Sequence, residues 1–89
     1  MENEVLTAFS VLKEASQLIG KEFEIFVDSN LNKATLIVLD ARMEIDVSCD
    51  YSIIIEYELW ADGRMFSFGT REYESLKWMI AYDGVKDNE

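Results

Sequence analysis

The sequence predicts an α+β fold: an N-terminal helix, an antiparallel sheet of four or five strands, and a C-terminal helix. Three observations carry this. Apolar residues recur at helical spacing between positions 3 and 20 and again after 70, and the stretch between reads as short apolar strands separated by turn residues. No linker, repeat or low-complexity segment interrupts the order. At 89 residues the chain is long enough for one modest core and too short for two, so it is a single domain, 1–89.

In the first segment Val5, Ala8, Phe9, Leu12, Ala15 and Ile19 form one stripe, and Gly20 supplies a C-terminal stop. Val11 and Leu18 lie at the edge of that stripe and widen it beneath a sheet. "FEIFVD" and "ATLIVLD" follow as a hairpin across "SNLNK", whose serine and asparagines suit a turn. Residues 34–40 are apolar without alternation, which marks a strand in the middle of the sheet. "ARMEIDVS" is either its bent extension or a further strand, and this leaves four strands or five.

Parity sets the next two turns, because opposed strand residues share a face. With Met43, Ile45 and Val47 toward the core, the partners are Ile55, Ile53 and Tyr51 across a three-residue turn centred on Cys49. Asp62-Gly63 is the favoured chemistry for a tight two-residue turn, and it pairs Leu59 with Phe66 and Tyr57 with Phe68 as core partners. Thr70 then caps a final helix, with Glu72 and Glu74 near its positive end and Tyr73, Leu76 and Ile80 as its inner stripe. Trp78 and Tyr82, four apart on another side of that helix, are expected to be at least partly buried within the domain. Residues 84–89 are expected to fray.

The same parity collects Arg42, Glu44, Asp46, Ser52, Ile54, Glu56, Glu58, Trp60, Met65 and Ser67 on the opposite face. From 40 to 62 the chain has seven acids and one base, Arg42, so the acid excess is local. Carboxylates on one face of a strand stand about 6.6 Å apart and repel by ~0.6 kcal/mol in water, or ~2.5 kcal/mol at an effective dielectric near 20. That repulsion is tolerable for folding and is relieved by opposed Lys or Arg. Phosphates of one nucleic-acid strand advance ~3.4 Å each along the axis, so a carboxylate row has a comparable charge spacing. A wet sheet face ordinarily carries polar residues, and Arg42, opposite Glu56 in this register, neutralises part of the row. Against a plain solubility face stand the low strand propensity of Asp and Glu, the near absence of the other sign, and an apolar island of Ile54, Trp60 and Met65.

The totals narrow the chemistry. A formal charge of −10 repels nucleic acid and anionic membranes, and no apolar run approaches the ~20 residues of a membrane span. The start lacks the basic-then-apolar order of a secretory signal, and a single cysteine suits a reducing compartment, so a cytoplasmic location is expected. With no histidine, triads and metal sites built on imidazole are excluded. "DGVKDNE" lacks the spacing of a calcium loop, and the four glycines form no phosphate cradle. Cys49, beside Asp50 and without a cation, is a poor nucleophile, and Glu56 with Glu58 lacks the apolar pocket that separates the pKa values of an acid/base pair. The expectation is a protein that is not an enzyme and needs no cofactor or metal.

Small size, one α+β domain, strong acidity, absence of histidine and an acid-rich face with an aromatic together resemble phage-encoded inhibitors of nucleic-acid-acting proteins. Anti-CRISPR proteins and DNA-mimic inhibitors of restriction or repair enzymes are the familiar members. The likeness is one of overall make-up across the whole chain. It implies a stoichiometric blocker of the basic groove of an effector in the bacterial host cytoplasm, without direct nucleic-acid or membrane binding. Glu44, Asp46, Glu56 and Glu58 would be its phosphate-like charges and Trp60 its apolar anchor. Two alternatives stand beside it: an immunity protein or antitoxin against a basic toxin nuclease, and a structural module pairing with its own copy through Trp78, Tyr82 or a sheet edge.

Overall fold

The computed structural model describes residues 2–30, 32–48 and 50–85, with side chains from position 6 onward. The elements run α1 (Glu2–Ser16), β1 (Glu22–Phe26), β2 (Lys33–Ile45), β3 (Tyr51–Ala61), β4 (Arg64–Glu72) and α2 (Tyr73–Asp83). The strands form one antiparallel sheet in the order β1-β2-β3-β4. "ARMEIDVS" therefore prolongs β2 as far as Ile45, the sheet has four strands, and residues 34–40 lie on an internal one.

Both helices cover the same face of the sheet. Ala15 of α1 and Tyr73 and Leu76 of α2 close over Ile25, Leu36, Val38, Ile53 and Ile55. The buried stripe of α1 is Ala8 and Ala15 flanked by Val11 and Leu12, and Leu18 in the turn after it packs against the same core. Phe9 and Ile19, expected inside, are 55% and 44% exposed. At about 100° per residue Phe9 falls well off a stripe centred on Ala8 and Ala15. Ile19 lies beyond the helix in a turn that ends at Gly20, with φ 85°, so helical spacing no longer governs it. The tyrosine hydroxyl of Tyr73 donates to the Glu14 carboxylate and ties α2 to α1.

The β1–β2 turn is organised by Asp28, whose Oδ1 accepts from the backbone N–H of Asn30 and Asn32 at 2.9 and 3.2 Å. Its Oδ2 accepts from Asn32 Nδ2 at 2.7 Å, and these bonds hold its carboxyl below the usual range, that side-chain bond contributing most. At the other end Asp62 and Gly63 both have positive φ, 54° and 76°, as a primed two-residue turn requires, and Ala61 pairs with Arg64.

Two bulges reset the register. Between Val38↔Tyr57 and Asp40↔Glu56, Leu39 is an extra residue, so even positions face the helices before it and odd positions after it. Between Trp60↔Met65 and Leu59↔Ser67, Phe66 is the extra residue. The expected core pairs Leu59–Phe66 and Tyr57–Phe68 are thereby overturned. Leu59 pairs with Ser67 and Tyr57 with Gly69, while Phe66 and Phe68 are 53% and 74% exposed. Ser67 moves to the helix face with Leu59.

The β2–β3 hairpin also pairs two residues earlier than parity alone chose: Ile45↔Tyr51, Met43↔Ile53 and Ala41↔Ile55. Parity is kept, but the turn is longer, because Asp46 leaves the ladder. Its N–H still donates to Asp50 O at 2.9 Å, but its Oδ1 accepts from Ser48 N, Ser48 Oγ and Asp50 N at 2.9, 2.7 and 3.1 Å, a local network that closes the turn in place of further strand ladder. Cys49 lies outside the described residues. At ~3.3 Å per residue the 13 residues of β2 span ~43 Å, close to the 45 Å long axis of the molecule, whereas the 15 residues of α1 cover ~22 Å. The hairpin tip thus outruns the helices, and Ile45 and Val47, expected in the core, are 68% and 105% exposed.

Thr70 does not cap α2. It pairs with Glu56 inside β4, and the N-cap is Glu72, with no side-chain cap bond. The inner stripe of α2 is as expected: Tyr73 and Leu76 are buried and Ile80 packs against the core. At the start of the expected tail Gly84 bridges Ile25, and Val85 N donates to Glu24 O at 2.9 Å. Residues 86–89 lie outside the described ones. No helix among the described residues is long and apolar enough to cross a membrane.

Candidate functional site

With both helices on one face, the second face of the sheet is open. Its rows, read across the strands, follow from the register. They are Glu44–Ser52, Arg42–Ile54–Glu72, Asp40–Glu56–Thr70, Glu22–Ile37–Glu58–Phe68 and Glu24–Thr35–Trp60–Met65. Phe26 and Lys33 pair at the end of β1 and β2 on the same face. Residues are ~6.6 Å apart along one strand of this face and ~4.8 Å apart from strand to strand.

Four of the five residues singled out in the sequence, Glu44, Glu56, Glu58 and Trp60, share this face. Asp46 does not join them: it sits in the exposed turn, its carboxyl held below the usual range chiefly by the Ser48 hydroxyl. Glu22 and Glu24 on β1 and Glu72 on β4 join the face instead. The alternation of Glu22 and Glu24 with Phe23 and Ile25 is the signal that reveals the first two, since Phe23 and Ile25 must point to the core. In all, seven carboxylates meet two cations, Lys33 and Arg42, a net charge of −5.

Arg42 is central to the acid end. Its guanidinium contacts Glu44 at 3.2 Å, Glu56 at 3.3 Å and Asp40 at 3.9 Å. The pairing register places it opposite Ile54, yet the long side chain still reaches Glu56. These contacts raise the Arg42 pKa, the hydrogen bond to Glu44 most of all. They link carboxylates that would otherwise only repel.

The aromatic end adjoins the remaining carboxylates. Trp60 pairs with Met65, and its Nε1–H donates to Glu58 Oε1 at 2.9 Å along the same strand. Ile37 and Phe68 flank Glu58 in the next row. Ile54, expected in one island with Trp60 and Met65, lies six residues along β3, ~20 Å from Trp60 and beyond the acid row. The half-buried Trp60 and the exposed Phe68 thus form an apolar patch at one end of the face, bordered by Glu22, Glu24 and Glu58, while Asp40, Glu44, Glu56 and Glu72 occupy the rows beyond it.

On α2, Trp78 and Tyr82 are 59% and 73% exposed, against the expectation of burial, and stack on each other with centroids 5.0 Å apart and planes at 7°. They reach across the helix surface beside Arg71 of β4, with Ser75, Met79 and Asp83 lining the same groove. Among the described residues no group of three or more acidic or cysteine side chains converges as a ligand set for a metal ion. The chain matches no family model, and no curated protein or solved structure is significantly similar to it.

Proposed function

We propose that the chain is an acidic stoichiometric inhibitor: it binds the basic nucleic-acid-binding surface of a bacterial defence effector or nuclease, of the anti-CRISPR or anti-restriction type, and blocks its substrate. The observation that carries this reading is the open sheet face, where a net charge of −5 is held by strands rather than by mobile loops. Rigid strands fix the carboxylates before encounter, so a basic groove gains charge complementarity without first ordering its ligand. Glu44, Glu56 and Glu58, with Glu22, Glu24 and Glu72, act as the phosphate-like charges, and Trp60 as the apolar anchor. The inhibitor performs no chemistry of its own and needs no cofactor.

The experiment is affinity capture from bacterial lysate on the immobilised chain, followed by competition. The captured protein should be basic, should bind nucleic acid, and should be released by added nucleic acid and by salt. A captured protein that holds its nucleic acid and the chain at the same time removes the blocking mechanism.

A further inference from the structure

We propose that the chain forms a dimer by antiparallel pairing of β4 with β4 of a second copy, which joins two four-stranded sheets into one of eight. Among the described residues β4 has β3 on one side and no strand on the other. Of its nine residues, RMFSFGTRE, the run 67–70 carries no proline, charge or bulge, the devices that blunt an exposed edge; those present, Arg64 and the bulge at Phe66, and Arg71 with Glu72, lie toward its two ends. The opposite edge of the sheet is treated differently: β1 has only five residues, and Gly84 and Val85 occupy its backbone at Ile25 and Glu24. With one edge open and the other closed, edge pairing between copies is isologous and stops at two chains.

Charge selects the same place. β4 carries two arginines and one glutamate, a net +1, and no other helix or strand is net positive. Two chains of −10 meet there with the least repulsion. Apolar surface flanks the edge on both sides, with Phe66 and Phe68 53% and 74% exposed on the strand and Trp78 and Tyr82 59% and 73% exposed on α2 beside Arg71. At ~200 Å² per aromatic side chain, these exposures offer at most roughly 500 Å² per chain, or ~1,000 Å² over the pair, the lower bound for a specific interface, to which the paired β4 backbones add. A two-fold axis perpendicular to the sheet leaves both open faces on one side, so the dimer doubles the acid surface without covering it. The proposal stands without the inhibitor reading, because it needs no partner other than the chain itself.

Sedimentation equilibrium of the purified chain tests it, together with amide hydrogen exchange along β4. The expected result is twice the 10.3 kDa chain mass at ~100 µM, with slow exchange of β4 amides that point away from β3. The double substitution Phe66→Lys with Phe68→Lys, at two exposed positions, should return the single-chain mass and fast exchange, with circular dichroism unchanged. Trp78→Glu, on the outer side of α2, is the second variant and should raise the dimer Kd at least ~tenfold. A single-chain mass at ~100 µM overturns the proposal. So does a two-chain mass that survives both variants or leaves the β4 amides exchanging freely.

Discussion

Ile55 is fully enclosed between α1, α2 and the neighbouring strands, so Ile55→Ala leaves a cavity that the helices cannot collapse into without losing other contacts. It should cost about 2–5 kcal/mol in urea titrations at unchanged m value, whereas Val47→Ala, at the solvated hairpin tip, should stay within about 0.5 kcal/mol. Equal effects would place the core elsewhere. Tyr73 shows how burial sets a pH response: enclosure first, and then the hydrogen bond to Glu14, pushes its pKa from 10.0 up to about 12. The protonated ring is therefore the form the fold prefers. Its contribution is complete below pH 10 and is lost as pH rises through about 12. Denaturation midpoints followed over that window should fall more steeply for the parent than for Tyr73→Phe. Parallel curves would show that this hydroxyl does not couple folding to pH.

Among the elements, the β3–β4 turn and the β4 strand make opposite demands on glycine. Gly63 has φ 76° and open space where a side-chain methyl would stand, so Gly63→Ala is opposed by backbone strain alone and should cost about 1–2 kcal/mol. Gly69 lacks positive φ and a methyl there would meet only the Tyr57 hydroxyl at 3.8 Å, so Gly69→Ala should be tolerated. Thermal unfolding of the two variants separates them; equal losses would mean that the turn is not of the primed type. On the open face, Arg42 links β2 to β3 through Glu56 and also holds Glu44 of its own strand, both at exposed positions, so its removal should affect charge more than stability. Arg42→Gln makes the face one unit more negative and should speed association with a basic partner at low salt. Slower association would show that Arg42 itself contacts the partner.

For the molecule as a whole, carboxylates run along the whole sheet face while the indole stands at one end of it, so charge and apolar contact can be removed separately. Exposed charges steer encounter and buried aromatics lengthen residence. Glu56→Gln with Glu58→Gln should slow association with the captured partner and flatten its salt dependence. Trp60→Ala should chiefly speed dissociation, by about 2 kcal/mol where the indole is a hot spot. Binding kinetics at several salt concentrations, on variants shown to be folded, decide this. A double variant that associates like the parent at every salt concentration reduces the carboxylates to a solvated face.

Local signals by themselves determined the element order, the Asp62-Gly63 turn, the Tyr73–Leu76–Ile80 stripe and the shared face of Glu44, Glu56, Glu58 and Trp60. Each rests on period, turn chemistry or parity within a few residues, and such terms act before any long-range contact forms. The tertiary structure decided what an inserted residue or a covering element controls. The bulges at Leu39 and Phe66 are invisible to alternation because each lies in a run of apolar or apolar-spaced residues, where one extra side chain leaves the pattern readable either way. They, with the Asp46 network, turned Phe66 and Phe68 outward and removed Asp46 from the face. Exposure of Val47, Trp78 and Tyr82 depends on where the helices end and lie, a distance in space that sequence period does not encode.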